Sequence, residues 1–165
     1  MRRYFYIVLL ILPCLLLAEA PAGPPSFRGI SLGASRQEVE RTIRQRVPEA
    51  EIEQDGEYLR ATTADSQFGR LTVTFNSEGV AMIIESGMDS PALDLVQKTI
   101  EIYGEPEWVS GLQAAHSSLK GHPHWTLAKR YFYTIYVGQD WTSLILRDAV
   151  LTQQEMQKRT EAQGR

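Results

Sequence analysis

Phe68-Gly69-Arg70-Leu71-Thr72-Val73-Thr74-Phe75-Asn76-Ser77-Glu78-Gly79-Val80-Ala81-Met82-Ile83-Ile84-Glu85 is the stretch that decides the fold. Leu71, Val73 and Phe75 alternate with Arg70, Thr72 and Thr74, the two-residue period of a strand with one buried face. Asn76-Ser77-Glu78-Gly79 has the composition of a turn, and Val80 to Glu85 returns as a second apolar strand. Tyr58 to Thr63 is a further strand candidate just upstream. Turns this short impose antiparallel pairing, because parallel neighbours need long crossovers.

Helices flank this hairpin in the sequence. Ser35 and Glu38 have capping-box spacing, in which each side chain satisfies a backbone donor at the helix start. Val39, Ile43 and Val47 then form an apolar stripe, Arg36, Glu40, Arg41, Arg44 and Arg46 fill the opposite face, and Pro48 ends the helix. A second helix is predicted to start with Ser90 as N-cap and Pro91 at its first position. Leu93, Val96, Ile100 and Tyr103 share one face, and Gly104 and Pro106 stop it. Trp108-Val109, a loop and a strand-rich block follow; the block runs from Trp125 to Val137, turns at Gly138-Gln139-Asp140, and resumes from Trp141 to Asp148. Thr152 and Glu155 are spaced to cap a short third helix, but from Gln153 onward the apolar stripe disappears and fraying is expected.

The order is helix, strands, helix, strands, and one shift lays Val39 on Val96 and Ile43 on Ile100. The fold class expected is therefore α+β: tandem helix-plus-antiparallel-strand units forming one sheet, with the helices packed on one face. Residues 23–150 would be a single domain with a weak internal repeat over roughly 27–86 and 87–150, and 151–165 a polar C-terminal helix or tail.

The N-terminus looks like an export address. Arg2 and Arg3 precede an unbroken apolar run from Tyr4 to Ala18, too short for a comfortable membrane span. Ala18-Glu19-Ala20 and Ala20-Pro21-Ala22 both have the small-x-small cleavage pattern, so residues 1–22 are expected to be a cleaved signal peptide that delivers the chain to the periplasm or the exterior. Cys14, the single cysteine, lies inside that run after Ile11-Leu12-Pro13, which is not a lipid-attachment context. A mature chain starting at residue 23 would contain no cysteine and no disulfide, and no membrane segment after cleavage. The whole chain has 165 residues, 43% hydrophobic and 22% charged, with a formal net charge of −3. That composition suits a globular protein and carries no electrostatic footprint for nucleic acid.

Two motifs carry a resemblance. Gly29-Ile30-Ser31-Leu32-Gly33-Ala34-Ser35-Arg36-Gln37-Glu38-Val39 resembles the helix opening of the SmpA/OmlA-like small envelope proteins and of β-lactamase-inhibitor-protein-like domains. Tyr103-Gly104-Glu105-Pro106 resembles the helix exit that precedes the first strand in those families. The first helix departs from the pattern by ending Arg46-Val47-Pro48 without glycine, and the lipid-bearing cysteine of the lipoproteins has no counterpart. The resemblance implies a small exported domain that acts by protein contact, with inhibition of a secreted enzyme as one form of such contact.

Chemistry-bearing clusters are few. His116, His122 and His124 fall close together, and His122-Pro123-His124 has the spacing of two ligands on one strand face. This supports either a metal-dependent hydrolase or a solvated polar loop, and the nearest carboxylates, Glu105, Glu107 and Asp140, have no motif spacing. No G-x-S-x-G elbow and no glycine-rich phosphate loop occur. The pairs Asp89 with Asp94 and Glu105 with Glu107 suit helix ends and turns.

Aromatics are the distinctive feature. In Tyr131-Phe132-Tyr133-Thr134-Ile135-Tyr136-Val137 both strand faces carry large side chains, yet only one can pack on the helices. The other is either covered by neighbouring segments or forms a surface for a ligand or partner, since Tyr and Trp provide large anchors with a polar tip. The expectation is a non-catalytic module without cofactor that binds another envelope or secreted protein, with Trp125, Tyr131, Tyr133, Tyr136 and Trp141 as candidate contact residues.

Overall fold

A computed structural model describes residues 23–64, 69–110 and 116–164; the predicted leader, residues 1–22, lies outside the described residues. A two-stranded hairpin, β1 (Ser26–Phe27) and β2 (Ile30–Ser31), leads into α1 (Arg36–Arg46). Ser35 caps α1 as expected. Its N–H and its hydroxyl each donate to Glu38 Oε2 at 2.8 Å, and Glu38 N–H donates back to Ser35 Oγ. These bonds hold the Glu38 carboxyl below its ordinary value.

A meander follows: β3 (Glu51–Asp55), β4 (Tyr58–Thr62), β5 (Arg70–Phe75) and β6 (Ala81–Met88). The β5–β6 turn is held by Asn76, whose Oδ1 accepts from Glu78 and Val80 N–H, while Gly79 sits at φ 76°. Then come α2 (Leu93–Tyr103) and a second meander, β7 (Glu107–Val109), β8 (His122–Leu127), β9 (Tyr131–Val137) and β10 (Thr142–Asp148), and finally α3 (Ala149–Gln163).

All eight long-sheet strands are antiparallel, in the order β3-β4-β5-β6-β10-β9-β8-β7. Each helix α1 and α2 is thus followed by a four-stranded meander, and the two meanders meet at their last strands, β6 against β10. Leu59, Val73, Ile84, Leu146, Tyr133 and Trp125 stand in register across six strands and point to one face. Val39 and Ile43 of α1 and Val96 of α2 join them in a single apolar core, so these two helices pack on the same face and the fold is α+β.

Three local expectations are corrected. Ser90 does not cap α2, whose N-cap is Ala92 without a side-chain bond of its own. β10 supplies the missing acceptor: Ala92 N–H donates to Thr142 Oγ1, and the Thr142 hydroxyl donates to Ser90 O, both at 2.8 Å. A distant strand has replaced the local cap, which no local pattern reveals. Likewise Thr152 and Glu155 do not open α3. Asp148 does, accepting from Val150 and Leu151 N–H, so the helix starts earlier and is longer than expected. β8 also begins at His122, which takes the histidine pair out of the expected loop and into the sheet. Among the described residues no helix is long and apolar enough to cross a membrane.

Candidate functional site

The pleat divides the predicted aromatic residues between two faces. Trp125 and Tyr133 are 3% and 4% exposed and belong to the core, so neither is a surface contact. The Trp125 indole donates to Gly104 O at 2.8 Å, tying β8 to the exit of α2. Tyr133 lies 5.6 Å from Trp125 and meets Tyr103 edge-on at 6.0 Å. Its burial pushes its phenol up to about 12, with the Thr99 hydroxyl pulling partly the other way. Tyr131 shares their parity and packs against the core, half-buried under the Arg130 guanidinium. Trp141 closes the turn after β9: Gly138 N–H donates to its carbonyl at 2.8 Å, and its indole lies so close over Gly138 that a Cβ there would fall 2.1 Å from the indole nitrogen and push the ring aside.

Of the four candidates on β8 and β9, Tyr136 alone projects from the strand face opposite the helices. There the even positions of β9 meet the histidines of β8. Tyr136 lies 4.8 Å from the His122 ring, and Phe132 stacks on His124 at 5.6 Å. Thr134, between them, shares a 2.8 Å hydrogen bond with His124 Nδ1. Arg147 of β10 places its guanidinium 5.3 Å from the Phe132 centroid. Val109 and Glu107 pair opposite His122 and His124 on one side, and Ile145 pairs with Thr134 on the other. His122 is buried, while His124, Phe132, Thr134, Tyr136 and Ile145 are half-buried. The result is a ladder of four rings on two adjacent strands, bordered by a cation and a carboxylate.

Phe132, His122 and His124 were not among the contact residues expected from sequence. The signal was present: His122 and His124 are two apart, Phe132 and Tyr136 four apart, so each pair shares a face of its strand. What the sequence lacks is the register that brings the pairs together.

The three imidazoles do not meet. His116 N–H donates to Val137 O, and its Nδ1 lies 2.7 Å from Ser118 Oγ, a local contact within one exposed turn. Among the described residues no group of three or more His, Cys, Asp or Glu side chains is placed to hold a metal ion, so the three-histidine hydrolase site is not formed. Ser117-Ser118-Leu119-Lys120 has S-x-x-K spacing, but Ser117 and Lys120 are both exposed on that turn and no described helix positions them.

No family model, no curated protein and no solved structure matches this chain.

Proposed function

We propose that this chain is an exported, non-catalytic binding module that acts by contact with another envelope or secreted protein, through the sheet face opposite α1 and α2. The observation that carries the reading is the ladder His122–Tyr136 and His124–Phe132, in which Tyr136, His124 and Phe132 are half-exposed over a buried His122. Aromatic rings held by cross-strand neighbours lose little side-chain freedom on binding and present both apolar area and polar edges. Arg147 beside Phe132, and Glu107 beside His124, flank the rings with charges that set orientation against a partner. Export rests on Arg2, Arg3 and the apolar run from Tyr4 to Ala18.

The test is cross-linked capture from envelope extracts, read by quantitative mass spectrometry. Wild type is compared with the Phe132→Ser, Tyr136→Ser double variant and with Arg60→Ser, a control on the same sheet face in the first meander. A specific protein retained by wild type and Arg60→Ser, and reduced about tenfold or more by the double variant, supports the reading. No reproducible capture, or equal capture by all three, refutes it.

A further inference from the structure

α3 is attached to the sheet in a way that differs from α1 and α2. It contributes no residue to the apolar core, and Val150 and Met156 are 41% and 65% exposed. Its one buried side chain is Glu155, at 5% exposure. Glu155 Oε2 accepts from Ser77 N–H at 3.1 Å and Ser77 Oγ at 3.0 Å, while Oε1 accepts from Arg159 Nε at 3.1 Å. Arg159 continues to Glu57 in the β3–β4 turn, and Lys158 reaches Glu78 in the β5–β6 turn at 2.7 Å. Positions 155, 158 and 159 lie on one side of a helix, so a single polar face spans the tips of two hairpins. Beneath it is a hollow of about 270 Å³ lined by Arg36, Asn76, Ser77 and Gly79, to which Glu155 and Arg159 form a wall.

We propose that α3 is a strap that detaches as a unit from the two hairpin tips, turning about Asp148, while the sheet and its core stay folded. The physical basis is the kind of contact it makes. From Gln153 to Thr160 the one large apolar side chain is Met156, already 65% exposed, and the side chains released on undocking are ones that water accepts: three carboxylates, a guanidinium, an ammonium and a hydroxyl. The near end is fixed more firmly, by the Asp148 cap and by Ala149 N–H donating to Arg130 O at 3.0 Å, which makes that end the hinge. In the detached state Ser77 N–H and its hydroxyl are unoccupied and the hollow opens. Glu155 is therefore the group that keeps this turn closed to any other carboxylate.

Amide hydrogen exchange on the purified full chain, resolved by residue, tests the strap. The amides of residues 153–160 are expected to exchange uniformly, about 100-fold or more faster than those of β6 and β10. Glu155→Gln should accelerate the α3 amides about tenfold further and leave the sheet unchanged. Raising salt from about 0.05 M to 1 M on wild type should accelerate them several-fold by screening the Arg159 and Lys158 pairs, which serves if the variant fails to fold. Protection in α3 equal to that of β6 and β10, or a gradient that decays from the C-terminal end as simple fraying would give, overturns the proposal. So does salt-independent exchange in wild-type α3.

Discussion

Replacing Asp148 tests whether one carboxylate joins the second meander to α3. Asp148 is 1% exposed at the end of β10. Both its oxygens accept from Arg130 Nε, at 3.1 and 3.0 Å, and Oδ2 accepts from Arg130 Nη2 at 2.7 Å. Oδ1 also accepts from Val150 and Leu151 N–H, at 3.0 and 3.1 Å. Asp148→Ala deletes a helix cap, at about 1 kcal/mol, and the charge-assisted bonds, at about 2 kcal/mol. Losing one partner of a fully buried pair costs roughly 3–5 kcal/mol. The Arg130 side chain is 43% exposed and can rehydrate, which places the total near the bottom of that range, about 3 kcal/mol. Asp148→Asn keeps an acceptor for the cap and loses the charge, so about 2 kcal/mol is expected. Arg130→Ala leaves a buried carboxylate with only its two amide donors and should cost about 3 kcal/mol. The double variant Asp148→Ala, Arg130→Ala should then fall short of the sum by about 1–2 kcal/mol, because each single change already breaks the same pair. Equilibrium urea unfolding followed by tryptophan fluorescence measures all four, with unchanged slopes expected. A loss below about 1 kcal/mol for Asp148→Ala, or strict additivity of the pair, would refute the reasoning.

Two further predictions concern the same half of the sheet. The Tyr133 phenol, pushed up to about 12 by burial, stays neutral after an unfolded chain would ionise near its ordinary value of 10.0, so stability present below pH 10 is lost as the pH rises through 10 to 12. The loss is about 2–3 kcal/mol and should be absent in Tyr133→Phe; urea midpoints at several alkaline pH values for both proteins check it, and parallel pH slopes would sink the argument. The turn between β8 and β9 holds Ala128 and Lys129 at φ 49° and 54°, a left-handed region that disfavours side chains of both types. Ala128→Asn with Lys129→Gly should gain about 1–2 kcal/mol, seen as a higher urea midpoint at constant slope, and a loss of stability would show that the turn is held by contacts of the native side chains.

The sequence disclosed the parts whose signals are local. Leu71, Val73 and Phe75 alternate on β5, the Asn76–Gly79 turn closes on its own side chain, and Ser35 with Glu38 forms the capping box. Each of these is decided within a few residues. It failed where a distant group substitutes for a local one. Thr142 caps α2 from fifty residues away, and Asp148 is a core-face strand residue before it is a helix cap. β3 gave no signal because Glu51-Ile52-Glu53-Gln54-Asp55 is an edge strand, with one flank and most side chains in water, so apolar alternation is not required of it. The charged face it presents also deters pairing with another strand. Tyr131, Tyr133 and Trp125 were chosen as contacts because they are large and aromatic, which is a property of core and surface alike; only the match Tyr133 to Leu146 and Trp125 shows which parity the helices cover.

That parity also weighs the ring ladder as a functional feature. The two meanders have the same strand order, and each has a face turned away from α1 and α2. In the first meander the positions on that face of β4 and β5 are Tyr58, Arg60, Thr62, Arg70, Thr72 and Thr74, polar or β-branched side chains with one tyrosine under Arg60. In the second, the corresponding face of β8 and β9 carries His122, His124, Thr126, Phe132, Thr134 and Tyr136. A meander of this architecture therefore holds its solvent-side face without a ladder of rings, as the first one does. Half-exposed aromatic surface carries a cost in solubility and aggregation that the first meander avoids. The first meander shows that this strand order does not require a ring ladder on that face, which is what the proposed binding role expects of the second.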